Sequence, residues 1–180
     1  MGSGAKWAII GMLVLVVVVA AILGQQIMSD RGNAELVNKV MERAKTMNDE
    51  GTLQDGIELT EEEVEGVLSR ATSTEDNKKR PLLLKTLAYT KAKGGFDVNA
   101  KIIEHVTTAK CPENIRTEIF KSVMTRRKEV SNIGPLLTYA KNTSEDAAAS
   151  AAIDAARASA EGQDADEFID DFLTLINNTD

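Results

Sequence analysis

The chain has 180 residues, of which 43% are hydrophobic, 27% charged and 4% aromatic, with one cysteine, three prolines and a formal net charge of −7. This is too apolar for a disordered chain and too poor in aromatics for a β-sandwich; a core of Leu, Ile, Val, Ala and Met in helix-on-helix layers fits it. One cysteine excludes an internal disulfide framework and a cysteine-based zinc site.

Charge is distributed in blocks. Residues 1–29 carry +1, residues 30–76 carry −8, residues 77–143 carry +9 and residues 144–180 carry −9. The domain is thus acidic, basic, acidic along its length.

From Trp7 to Leu23 every residue is apolar or glycine, and no charge falls between Lys6 and Asp30. As a helix, residues 7–29 would span roughly 34 Å at about 1.5 Å per residue, enough for a hydrocarbon core of about 30 Å. Eleven of the seventeen residues from Trp7 to Leu23 are Leu, Ile or Val. Each favours insertion, so residues 1–29 are expected to form a membrane anchor in contact with lipid. A cleaved signal peptide is the competing reading, but the basic start is only Lys6, the apolar run is long, and Ala21 and Gly24 lack the spacing of a cleavage site. Lys6 on one side and the acidic stretch from Asp30 on the other favour a cytoplasmic N-terminus and a periplasmic or extracellular domain. Ala20 and Gly24 form a small-xxx-small pair suited to close helix packing in lipid.

Residues 30–74 are expected to hold a linker and a first helix pair. Ala34, Val37, Val40, Met41 and Ala44 recur at helical spacing and predict a helix ending near Asn48. Asn48 to Ile57, with Gly51 and Gly56, reads as a loop. Thr60 followed by Glu63 predicts a capping box, and Val64, Val67, Leu68 and Ala71 mark the buried face of the helix it opens. The glutamates at 61, 62, 63 and 65 suit that helix's N-terminal dipole.

Residues 75–180 divide into pieces of 36, 33 and 37 residues, each reading as helix, short turn, helix. The first is built on Leu83, Leu84, Leu87 and Ala88, then Gly94-Gly95, then Ile102, Ile103 and Val106. The second uses Ile115, Ile119, Phe120 and Val123, then Ile133, Leu136, Leu137 and Ala140. The third uses Ala148, Ala152, Ile153 and Ala156, then Gly162, then Phe168, Ile169, Phe172, Leu173 and Ile176. Unequal copies with one hydrophobic plan are the pattern of stacked helix pairs, each burying its inner face on its neighbours. In this pattern, and most of all in SEDAAASAAIDAARASAEGQDADEFIDDFLTLI, the chain resembles the HEAT and armadillo-like repeat class. The resemblance implies an α-solenoid-like stack of antiparallel helix pairs, and with the single transmembrane helix expected before it the fold class is all-α. An irregular helical bundle is the alternative.

No motif demands a particular chemistry. His105, the sole histidine, sits at helical spacing between Ile102 and Val106 without companions for a metal site or catalytic dyad. Cys111 precedes Pro112 at an expected helix start and has no partner base in the sequence. Asp164, Asp166 and Glu167 lack the ligand spacing of a calcium loop, and Gly94-Gly95 lacks the Lys-Ser/Thr of a phosphate loop. A non-enzyme without cofactor or metal is therefore expected. The basic block supplies the candidate contacts for an acidic protein partner or anionic lipid: Lys78, Lys79, Arg80 and Lys85, then Arg126, Arg127 and Lys128. Nucleic acid fits poorly, given the acidic flanks and few aromatics for stacking. These expectations together describe a membrane-anchored interaction module, an accessory or scaffold subunit binding through its repeat surface. The alternative is a small structural subunit of a membrane complex, held mainly by its transmembrane helix.

Overall fold

A computed structural model describes residues 34–73, 79–108, 111–161, 169 and 172–174, and these are mostly helical. The apolar run from Trp7 to Leu23 lies outside the described residues, as do Lys78, Gly162, Phe168 and Ile176. Among the described residues, no helix is long and apolar enough to cross a membrane.

The first helix, α1, covers residues 34–49 and buries Val37, Val40 and Ala44, the face predicted from spacing. After Gly51, which takes φ +77°, a short 3-10 turn over Leu53–Asp55 buries Leu53. The chain then enters β1 (Ile57–Leu59) and α2 (Glu61–Thr72). Thr60 and Glu63 form the expected capping box: the Glu63 amide donates to Thr60 Oγ1 at 3.3 Å, and the Thr60 amide donates to Glu63 Oε2 at 2.8 Å. Arg43 reinforces it with a 3.2 Å ion pair to Glu63 and a 2.9 Å bond to the Glu58 carbonyl. Thr60→Ala removes one arm of the box and is expected to cost about 1 kcal/mol in urea unfolding, with the far-ultraviolet circular dichroism of the native state unchanged. No measurable loss would mean that water replaces the hydroxyl.

β1 pairs in parallel with β2 (Thr90–Ala92), Ile57 opposite Thr90 and Leu59 opposite Ala92. The described residues fit the expected all-α class, and the small ladder departs from the expectation only in detail, since the spacing predicts a loop as far as residue 57 and no strand over residues 90–92. Each strand has three residues, too few to display a period-2 pattern, and the partners meet only through the crossover between them. Ile57 and Leu59 point into the core while Glu58 faces out. Gly56 precedes the ladder at φ +103°, and a Cβ there would lie 2.4 Å from Lys91 Cε. The glycine thus serves twice, since it supplies the backbone conformation and leaves room for Lys91, whose Nζ donates to the Asp55 carbonyl at 2.6 Å.

Five further helices follow: α3 (Arg80–Ala88), α4 (Val98–Val106), α5 (Glu113–Ile119), α6 (Ile133–Asn142) and α7 (Asp146–Ala160). Asp97 caps α4 by accepting from the amides of Asn99 at 2.8 Å and Ala100 at 3.1 Å. A π-turn over Phe120–Met124 extends α5 and buries Phe120, Val123 and Met124.

The closest helix approaches gather into two groups. α3 and α4 both pack on α2, while α5 and α6 both pack on α7, and α3 meets the π-turn to join the groups into one core. α7 makes this possible by presenting Ala148, Ala151, Ala152, Ala155 and Ala156, all fully buried, so that α6 approaches a face with almost no side-chain depth. α6 on α7 and α2 on α3 are close approaches between neighbours in sequence, and α7 and α2 each support a second helix as well, α5 and α4.

Candidate functional site

The basic residues singled out from the sequence fall into different environments. Lys79 is exposed just before α3. Arg80 is only 12% exposed; its Nε donates to the Ala71 carbonyl at 3.2 Å and its Nη2 to that of Ser73 at 3.4 Å, with Glu118 3.9 Å from Nη1. It therefore closes the C-terminal end of α2, whose last carbonyls have no helical donor. Lys85 donates to Asn48 Oδ1 at 2.6 Å and ties α3 to the end of α1.

The second basic group divides similarly. Arg126 donates to the Tyr89 hydroxyl at 2.9 Å, with its guanidinium carbon 5.9 Å from the centre of that ring. Arg127 turns inward: Nη1 donates to the carbonyls of Leu87 at 3.1 Å and Thr90 at 2.8 Å, and Nε donates to Asn99 Oδ1. Burial pushes its pKa below that of an ordinary arginine, against the pull of Glu129 and Asp97. Lys128 pairs with Glu161. Arg80 and Arg127 are thus fasteners of the fold, and among the described members of the two groups Lys79, Arg126 and Lys128 are exposed.

A third inward-turned guanidinium, and a buried one, was not singled out from the sequence. Arg116, with 4% of its side chain exposed, donates from Nη2 to the carbonyls of Thr108 at 2.7 Å and Cys111 at 2.8 Å, and from Nε to that of Val106. Its Nη1 meets Glu145 and the Tyr139 hydroxyl, the latter at 3.2 Å, and the Tyr139 hydroxyl donates to Glu145 at 2.9 Å. The guanidinium also lies 5.4 Å from the Tyr139 ring centre. Burial works against the Arg116 charge, but Glu145 and Tyr139 more than offset it, and the Arg116 hydrogen bond holds Glu145 below the usual carboxylate range. The available sequence signal was Arg116 itself, placed at helical spacing among Ile115, Ile119 and Phe120.

A groove of about 620 Å³ lies between α2 and α4, closed at one side by the start of α1. Val37 and Leu68 lie buried behind it, and Gly66 lets α1 approach α2, since a Cβ there would lie 2.7 Å from Val37 Cγ2. Along its rim Lys101 binds Glu61 at 2.6 Å and Glu65 at 3.3 Å, which raises the lysine pKa. His105 stands in the wall with Nε2 3.3 Å from Thr72 Oγ1. The Thr72 hydroxyl lies 3.0 Å from the Leu68 carbonyl and 3.1 Å from that of Ser69, so its one proton is directed there and the ring Nε2–H is assigned as the donor. That polarity is the reverse of a base activating a hydroxyl. Burial lowers the His105 pKa, with Glu65 and Glu104 opposing, so the ring is neutral at pH 7.

Cys111 is buried, and burial pushes its thiol pKa up despite the nearby Arg116. A thiol in this state is a poor nucleophile. Among the described residues, no three His, Cys, Asp or Glu side chains group closely enough to hold a metal ion.

Fold and site together define a mostly helical domain with a mixed-charge groove and buried arginine fasteners. No protein-family model matches the chain, and no curated protein or solved structure shows significant similarity to it.

Proposed function

We propose that this chain is a membrane-anchored, non-catalytic interaction module, an accessory or scaffold subunit that binds a protein partner. The observation that carries this reading is the uncharged run of residues 7–29, set directly before a helical domain with one continuous core. An uncharged segment of that length, apolar or glycine from Trp7 to Leu23, is stable in a bilayer and costly in water. In this reading residues 1–29 form a single-pass anchor with a cytoplasmic N-terminus, and the domain works on the periplasmic or extracellular side. Residues 75–180 act as HEAT-like helix pairs whose outer surface offers Lys79, Arg126 and Lys128 to an acidic partner or to lipid headgroups near the anchor.

The test is fractionation of cells making the full chain or a chain lacking residues 1–29. The full chain is expected to stay with membranes through alkaline carbonate and to leave them only in detergent, while the shortened chain is soluble. Release of the full chain by carbonate would sink the anchor reading. Ala20 and Gly24 favour a second reading, in which the anchor itself packs into a larger membrane assembly. Exchanging residues 7–23 for an unrelated apolar helix then dissolves the complex, whereas the interaction-module reading predicts that the complex survives.

A further inference from the structure

We infer that His105 is an acid-sensitive latch on the seam between α2 and α4, and that protonating its ring loosens the end of α2 from α4. The latch is a bond across the two helices, from His105 Nε2 on α4 to Thr72 Oγ1 in the last turn of α2 at 3.3 Å. With Nε2–H as the donor, a proton taken up in acid goes to Nδ1. Among the described residues Nδ1 has no hydrogen-bond acceptor, and the ring is half-buried in the groove wall. The added proton therefore places a charge and an unpaired donor where water reaches only in part.

The charged groups around the ring do not supply that acceptor. On α2, Glu65 is engaged by Lys101 at 3.3 Å, and Glu62 and Arg70 line the same groove. On α4, Lys101 stands one turn before the ring, and Glu104 is its neighbour in sequence, so the two side chains leave the helix in different directions. The first turn of α1 brings Ala34 and Val37 to the groove, neither of them charged. Glu65 and Glu104 favour the protonated ring, yet burial outweighs them and holds the His105 pKa below the ordinary imidazole value. On acidification the unfolded chain, with its imidazole at about 6.5, takes up the proton first. The stabilisation is complete above that value and is lost as pH falls through the lower folded one. Arg80 fastens the same end of α2 through the carbonyls of Ala71 and Ser73, and of the two fastenings only the imidazole titrates near neutral pH.

His105 is the only histidine in the chain, so its ring can be followed without ambiguity. The experiment titrates that ring by NMR in the full chain, labelled at histidine and held in neutral detergent, from about pH 8 to about pH 5. Amide hydrogen exchange of α2 and α4 is read over the same range, corrected for intrinsic rates. The midpoint is expected below the ordinary imidazole value, and protection of the two helices should fall between that value and the midpoint. His105→Gln sets a side-chain amide in place of Nε2–H and cannot take the proton. Between about pH 7 and about pH 5 it should lose about fivefold less protection than the parent, within the roughly tenfold per pH unit that one titrating group allows. A midpoint at or above the ordinary value would overturn the latch, as would an equal loss of protection in His105→Gln. Should that variant not fold, the parent alone decides, and protection that falls only outside the window between the ordinary value and the midpoint counts against the latch. The latch operates whether or not residues 1–29 hold the chain in a membrane, so carbonate fractionation and the histidine titration can fail separately.

Discussion

Arg116→Met is expected to lower folding stability by about 3–5 kcal/mol in urea unfolding at pH 7, the cost typical of removing one partner from a buried ion pair. The loss has two sources. The carbonyls of Val106, Thr108 and Cys111 lose their donors, and Glu145 and Tyr139 lose the cation that organises them. Methionine preserves much of the packing volume, so a cavity contributes little. Glu145→Gln should cost less, because that side chain is 32% exposed and water replaces part of what it loses.

The same network predicts a pH dependence. The Glu145 carboxyl titrates lower in the folded chain than in the unfolded one, so in the acidic range the unfolded state binds more protons. The stabilisation is complete above the ordinary carboxylate pKa and is lost as pH falls through the lowered folded value. Arg116→Met should flatten that part of the profile. A variant that is destabilised but keeps the full acidic slope would show that the slope comes from other carboxylates.

Arg127→Met is the second large effect, expected to cost about 2–4 kcal/mol because it leaves the Leu87 and Thr90 carbonyls and Asn99 Oδ1 without their donor in a mostly buried setting. Lys128→Gln, next in sequence, removes the same formal charge from a side chain that is 49% exposed and should cost less than about 1 kcal/mol. The comparison separates a fastener from a surface contact. If both variants unfold at the same urea concentration as the parent chain, Arg127 is not the clamp that its hydrogen bonds describe. Partner capture should respond in the opposite order, with Lys128→Gln weakening binding in a fully folded chain. Any loss of binding in Arg127→Met should track its unfolded fraction.

The helices were legible because their signals are local. Thr60 with Glu63, and apolar residues at spacings of three and four in α1, α2, α4 and α5, specify where a helix starts and which face it buries. The candidate site was less so. Seven basic residues could be named, but their sequence positions do not reveal which carbonyls remain unpaired nearby. Arg127 and Lys128 are adjacent in sequence, yet one is a buried clamp and the other a surface charge. Arg116 was not singled out at all, because its role depends on three carbonyls between the end of α4 and the start of α5, with a hydroxyl from Tyr139 and a carboxylate from Glu145.

What the sequence determined by itself was therefore the apolar run before the domain, the blocks of charge, the helix boundaries and the buried faces, all of which depend on residues within a turn or two of each other. The tertiary structure alone decided that Ile57 pairs with Thr90, that α2 and α7 each carry two helices, that α2 and α4 leave a groove, and which arginines lie inside. Each of these turns on hydrogen-bonding groups and apolar faces left over after the local elements form, and their partners are chosen by packing among segments distant in sequence.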